Sequence, residues 1–291
     1  MAPKSLPPYL SPGSTLTFRH EQHGELCATV LPFAASTLST YPVILVQLRS
    51  IATSCALRPG ANLIVKIFDP RFNRSSFAPW YGATEAAAAR IHGGQLVFDP
   101  KERPSLFDTD PEDEPLPYEV QLFKFTTWLA RNELLAYQHL ARVQGSLVPI
   151  CYGGGVLDLS GTGPRRAIAP PVVFLEHVRD AVSLDRFDAR RLTQPLLRAI
   201  MDTGDALNAH GVIHTDANEA NFLLIPARNP TRVMVLDFAE AWTRDAAENE
   251  EDWEGGKREW DVRHQRKVVL NRKFREAGLP VPDMLALPRL K

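Results

Sequence analysis

Two short apolar runs, Phe222 to Ile225 and Val233 to Leu236, flank a stretch from Pro226 to Thr231 that holds the turn formers Asn229 and Pro230. Runs of this length bounded by turn signals predict buried strands, and the pair predicts a hairpin. Upstream, Leu63-Ile64-Val65-Lys66-Ile67-Phe68 is a third apolar run, bounded by Gly60 and Pro70, with a cation in its middle. Pro171 to Val178 reads as a buried strand running into a connector, and Val148 to Gly153 as the entry to another. Elsewhere the spacing is helical. Leu122, Leu129, Ala136, Leu140 and Val143 mark one face of a helix from about Leu122 to Val143, and Glu133 falls inside that stripe. Leu192, Leu196, Leu197, Ile200, Gly204 and Leu207 mark a second helix, with Gly211 as its C-terminal cap. Trp260-Asp261 opens a last helix, followed by Arg263, Arg266, Lys267, Arg272 and Lys273.

Polar positions around the hairpin carry the candidate chemistry. If its turn centres on Asn229, Asn221 and Asp237 face each other across antiparallel strands. A hard cation such as Mg2+ takes a carboxylate and an amide oxygen, completed by phosphate oxygens and water, rather than a closed protein cage. Asp216, in the polar loop ahead of Asn221, is placed to take the proton of an incoming hydroxyl as a general base. A lysine buried on a strand, as Lys66 is predicted to be, needs a charged partner, and so does a glutamate inside an apolar helical stripe.

His214-Thr215-Asp216-Ala217-Asn218-Glu219-Ala220-Asn221 followed by Asp237-Phe238-Ala239 resembles the catalytic-loop and metal-loop pattern of the protein-kinase-like superfamily. Asn132-Glu133, Tyr137, Gly145, Val148-Pro149 and Tyr152-Gly153 look like a group of compact fungal protein-kinase-like proteins. The resemblance implies an α+β, two-lobed protein-kinase-like fold. Its small, mostly β N-terminal lobe has one helix, and its mostly helical C-terminal lobe is truncated. It implies that Lys66 holds nucleotide phosphates in an ion pair with Glu133, and that the backbone of Glu176 and Val178 meets adenine. ATP and Mg2+ are the expected cofactors. The expected organisation is a loose tail over 1–15, an N-terminal lobe over 16–178 with an insertion at about 69–118, and a shortened C-terminal lobe over 179–291.

The sequence departs from the family pattern in several places. No G-x-G-x-x-G precedes Lys66, and Glu25 to Pro59 contains no glycine, which puts phosphate gripping by backbone amides in doubt. Ala34-Ala35-Ser36-Thr37 reads as a substitute loop or as a plain surface turn. Asn218 stands where serine/threonine kinases carry lysine, and Ala239 replaces the glycine that follows D-F. There is no A-P-E segment. Arg244 to Glu254, with Asp245, Glu248, Glu250, Glu251, Asp252 and Glu254, is expected to be a solvated loop. Phe98 to Tyr118, dense in Asp, Glu and Pro, is expected to be exposed.

Composition sets the remaining bounds. The chain has 291 residues, 44% of them hydrophobic, which suits one two-lobed unit. Lys and Arg total 33 against 34 for Asp and Glu, so no global field recruits nucleic acid or an anionic membrane. Cys27, Cys55 and Cys151 lack metal-ligand or C-x-x-C spacing, which fits a reduced intracellular, cytoplasmic compartment. No apolar run is long enough to span a bilayer. The leading reading is an ATP-dependent phosphotransferase acting on a protein hydroxyl, serine or threonine by default. Two alternatives stay open: a small-molecule kinase of the aminoglycoside or choline kinase type, and a pseudokinase that binds partners or nucleotide and transfers nothing.

Overall fold

The computed structural model describes residues 7–33, 41–52, 57–73, 80–91, 104, 114–160 and 166–287. Ala34 to Thr37 and Cys55 lie outside these. The chain divides into two units, residues 1–134 with 151–177, and residues 135–150 with 178–291. Among the described residues no helix is long and apolar enough to cross a membrane.

The first unit is built on strands β1 (Thr15–His20), β2 (Gly24–Leu31), β3 (Val43–Ile51) and β4 (Asn62–Ile67). Helices α1 (Gly82–Ile91) and α2 (Pro115–His139) follow, then β5 (Cys151–Asp158) and β6 (Pro171–Glu176). The last turn of α2 belongs to the second unit. The strands form a closed antiparallel barrel in the order β1-β2-β3-β4-β6-β5. Side chains alternate across each strand, so Leu16 and Phe18, Leu26, Ala28 and Val30, Ile44, Val46 and Leu48, and Leu63, Val65 and Ile67 fill one core. Closure brings β5 hard against β1. A Cβ at Gly155 would lie 2.4 Å from the backbone oxygen of Arg19, so only glycine fits there. The segment read as an insertion carries a helix of its own, α1, and α2 starts at Pro115, before the apolar stripe begins.

Buried charge fixes α1 to the barrel. Arg166 reaches Asp69, just beyond β4, at 3.1 Å and Glu85 of α1 at 2.8 Å. Arg71 adds a second cation to Asp69 at 2.9 Å, and Trp80 donates its indole N–H to Glu85 at 2.8 Å. Burial pushes both carboxyls up. The hydrogen bonds and charges of Arg71 and Arg166 on Asp69, and of Arg166 on Glu85, outweigh it and hold both below the usual carboxylate range.

The second unit holds β7 (Val182–Ser183), α3 (Gln194–Asn208), β8 (Val212–Ile213), β9 (Phe222–Ile225), β10 (Arg232–Val235), β11 (Trp242–Thr243), α4 (Glu250–Trp260) and α5 (Val262–Glu276). Its strands form two small sheets, β10-β9-β7 and β11-β8. The Thr193 hydroxyl accepts from the Leu196 N–H to cap α3. The solvated loop expected over Arg244 to Glu254 is corrected, because α4 begins at Glu250. Asn249 caps it, Glu250, Glu251 and Asp252 complement the positive end of the helix dipole, and Trp253 is buried. Asp261 ends α4 and caps α5 by accepting from the His264 N–H at 3.0 Å.

Arg266 of α5 is fully buried. It donates to Thr203 Oγ1 and to the Val262 carbonyl at 3.1 Å each, and its guanidinium lies 5.7 Å from the Phe222 ring centroid. Burial lowers its pKa to about 10. Gly204 of α3 makes the room, since a Cβ there would lie 2.5 Å from Arg266 Nη1.

Three outcomes are expected. Arg166→Met takes from Glu85 its cation and leaves Asp69 with Arg71 alone, and it lowers the unfolding free energy by about 3–5 kcal/mol, read from the urea midpoint. Asp69 and Glu85 titrate lower in the folded than in the unfolded chain. Their contribution is therefore present above an unfolded pKa of roughly 4 and is lost as pH falls below it, and this acid-side decline is flatter in Arg166→Met. Gly204→Ala overpacks the Arg266 site and lowers the unfolding free energy, read from the urea midpoint, by about 1 kcal/mol or more, whereas helix propensity alone would raise it by about that amount.

Candidate functional site

Lys66 lies on β4 between Val65 and Ile67, whose side chains fill the barrel, so its own leaves by the opposite face. There its Nζ meets Glu133 Oε2 of α2 at 2.8 Å, with side-chain exposures of 6% and 0%. The ammonium also lies 5.1 Å from the Phe68 ring centroid. The pair expected from the sequence thus forms, and it forms buried. Along the neighbouring strand β6, Lys66 stands opposite Val173, and Leu63 opposite Glu176, the last residue of the strand. Val178 follows two residues later. Cys151 is no nucleophile, because burial, with Glu133 nearby, pushes its thiol up to about 12.

The second unit gathers the polar loop. His214 directly follows β8, which pairs with β11 in the register Trp242 to Ile213 and Thr243 to Val212. The stretch before Asp216 and the stretch after Asp237 are therefore fastened together. His214 Nε2 lies 2.9 Å from the carbonyls of both Leu236 and Asp237, so it carries the proton and donates to them. Burial, with the Arg266 charge second, holds this imidazole below its ordinary pKa and therefore neutral. The Thr215 hydroxyl donates to the Glu240 carbonyl at 2.8 Å. The Phe238 ring stands edge-on to Tyr137 at 5.3 Å and to His214 at 5.2 Å.

Asp216 is exposed. Its Oδ2 accepts from Asn218 Nδ2 at 2.8 Å and from Asn221 Nδ2 at 3.0 Å, and its backbone oxygen accepts from Asn221 Nδ2 at 2.9 Å. Asn218 Oδ1 in turn accepts from the Ala220 N–H, capping a 3-10 turn over Glu219–Asn221. Asn218 was expected only as a missing lysine; it is a support of the Asp216 carboxylate. Its sequence signal is an asparagine immediately before a turn, a common cap.

The facing of Asn221 and Asp237 is corrected by one residue. The hairpin pairs Phe222 with Val235 and Ile225 with Arg232. Its loop, Pro226 to Thr231, holds an even number of residues, so its axis falls between Arg228 and Asn229 and not on Asn229. Asn221 consequently stands opposite Leu236, whose N–H donates to the Asn221 carbonyl at 2.8 Å, and Asp237 comes one position later. Asp237 has a φ of 62°, so the left-handed residue of this loop is Asp237 and not Ala239. The donor chemistry fits Mg2+. Asn221 spends its Nδ2 on Asp216 and keeps its hard Oδ1 out of that contact, and Asp237 offers a carboxylate. Among the described residues no group of three or more His, Cys, Asp or Glu forms an alternative metal cage.

The order of elements along the chain is protein-kinase-like: a strand lysine paired with a helix glutamate, then β6, a polar loop, a hairpin and an Asp-Phe loop. No family model matches the chain, and no curated protein does. Among solved structures it is similar to protein kinase domains. One is the ROP18 kinase domain in complex with AMP-PNP and sucrose, at 12% identity and a TM-score of 0.47 over 92% of this chain and 69% of that one. Another is the PknI kinase domain of Mycobacterium tuberculosis, at 16% identity and a TM-score of 0.42 over 90% and 78%. A third is a rhoptry antigen kinase domain specific to Toxoplasma gondii, at 11% identity and a TM-score of 0.42 over 92% and 72%. At these identities and scores the likenesses carry no argument about activity or about the finer likeness to compact fungal proteins. The kinase-like character of the fold rests on the order and pairing of its own elements.

Proposed function

We propose that the chain is a phosphotransferase that moves the γ-phosphate of ATP to a hydroxyl, with serine or threonine of a protein as the default acceptor. One observation carries the reading: the Asp216 carboxylate accepts hydrogen bonds from both Asn218 and Asn221. A candidate base and a candidate metal ligand are thereby held in one fixed relation. Bound Mg2+ and ATP would supply the transferable phosphoryl group and the charge neutralisation that its transfer requires. Asp216 would take the proton of the acceptor hydroxyl on the oxygen not used by the two asparagines. Asn221 Oδ1 and the Asp237 carboxylate would hold the metal. The Lys66 ammonium would bind phosphates, kept in place by Glu133, and the backbone of Glu176 and Val178 would meet adenine. A second reading, a protein that binds magnesium-ATP without transferring, is favoured by the neutral Asn218 at the place of a lysine.

The test is transfer of labelled γ-phosphate from ATP in a cell extract, with protein and small-molecule fractions counted separately. Asp216→Ala is expected to lower labelling by about 10²–10⁴-fold while calorimetric ATP binding persists. Asp237→Ala is expected to lose magnesium-dependent binding as well. Equal labelling by Asp216→Ala and wild type would remove Asp216 from the chemistry. Label in small molecules would change the acceptor class, and binding without any Asp216-dependent label would favour the second reading.

A further inference from the structure

We propose that Glu219 is a positioning residue for the catalytic loop, through which helix α5 fixes the Asp216 carboxylate. The inference rests on the reading of Asp216 as the base. Glu219 belongs to a polar loop, yet it is only 7% exposed. A carboxylate buried in such a place needs cations, and two come from α5. Arg272 Nη2 lies 3.3 Å from Glu219 Oε1, and Lys273 Nζ lies 3.4 Å from Glu219 Oε2.

Lys273 is what separates this contact from an ordinary surface bridge. Lysines on a helix surface keep their ammonium in water and contribute little through ion pairs. Lys273 is 8% exposed, and its Nζ also donates to the Asp185 carbonyl at 3.3 Å. One buried ammonium therefore joins α5, the segment just after β7 and the loop of Asp216. The path onward is short. The 3-10 turn that starts at Glu219 ends at Asn221, and Asn221 Nδ2 holds both the carboxylate and the backbone oxygen of Asp216. Displacing Glu219 displaces the turn, and with it the donor that orients the base. A misplacement of about 1 Å at a reacting group can cost roughly 10²-fold in rate. Glu219 touches no reacting atom in this scheme, and its effect passes wholly through Asn221.

The experiment compares Glu219→Gln, Lys273→Met and the conservative Lys273→Arg in the full chain. It reads Asp216-dependent phosphoryl transfer and amide hydrogen exchange of residues 215–221 and 222–235. Glu219→Gln and Lys273→Met should lower kcat about 10- to 100-fold, with a smaller rise in the KM for magnesium-ATP because Asp237 still holds the metal. The loop amides of Asn218, Ala220 and Asn221, each bonded within the loop, should exchange about tenfold faster while the hairpin amides keep their protection. Lys273→Arg should restore both readouts to near wild type. The proposal is overturned if kcat is unchanged in the single variants, if loop exchange is unchanged, or if loop and hairpin lose protection together, which would mark general destabilisation. Wild-type protein without Asp216-dependent label would end the reading of the base, and loop exchange alone would then decide whether α5 positions Asp216.

Discussion

The side-chain amide of Asn221 is the constraint from which the second unit's geometry follows. Its Nδ2 is committed to Asp216, and the backbone carbonyl of the same residue accepts from the Leu236 N–H at the mouth of the β9–β10 hairpin. A strand pair with a fixed register is stiff along its length, so the loop before β9 and the loop after β10 cannot move independently of each other. His214 and the β8–β11 pairing repeat the tie from the outer ends of the same two loops. The left-handed Asp237 sits between these fastenings. A non-glycine residue holds a positive φ only where its surroundings over-determine it, and two hydrogen-bonded ends provide that.

What the sequence made legible was whatever a few adjacent residues decide. The apolar runs around Lys66 and Val173 and on both sides of Pro226 to Thr231 appear as strands close to their expected bounds. The hairpin register failed by one residue because a turn's centre depends on whether its loop is odd or even, which turn residues alone do not specify. The strands β1 to β3 were not read, although Thr15 to His20 alternates as a half-buried strand should. Short alternations are weak until neighbours pair with them, and of the two neighbours of β1 one, β5, is far along the chain. The acidic run near Glu250 misled for a different reason. Net charge suggested solvation, but at a helix start the same carboxylates stabilise the fold.

Contacts between distant charged side chains were the least legible. Lys66 and Glu133 could be matched because a lysine in an apolar run and a glutamate in an apolar stripe are each anomalous alone. Glu219, Lys273, Arg166 and Arg266 gave no such warning, since a charged residue in a polar segment looks solvated. α5 shows the cost. Its buried set includes Arg266, Asn271 and Lys273 beside Val269, Leu270 and Phe274, so the apolar stripe that marks an amphipathic helix is interrupted by the groups that do the anchoring.

That interruption explains how the last helix reaches the loop. Arg266 and Lys273 are seven residues apart, about two turns, and so share one face of α5. Each meets one side of the Asn221 position: Arg266 lies over Phe222, the residue after it, and Lys273 holds Glu219, two residues before it. The two cations solve the cost of burial differently. Lys273 is a compact, strongly hydrated charge and has a carboxylate and a carbonyl around it. Arg266 has no carboxylate at hydrogen-bond distance among the described residues. It relies instead on an aromatic face, a hydroxyl, a carbonyl and the space left by Gly204, which its delocalised, weakly hydrated guanidinium can accept. A lysine in place of Arg266 would lose the planar, delocalised charge that stacks on Phe222 and forks to Thr203 and Val262, whereas an arginine at 273 still brings a cation to Glu219. The choice of cation at 266 is therefore set by the site beside the loop, not by the solubility of the outer surface of α5.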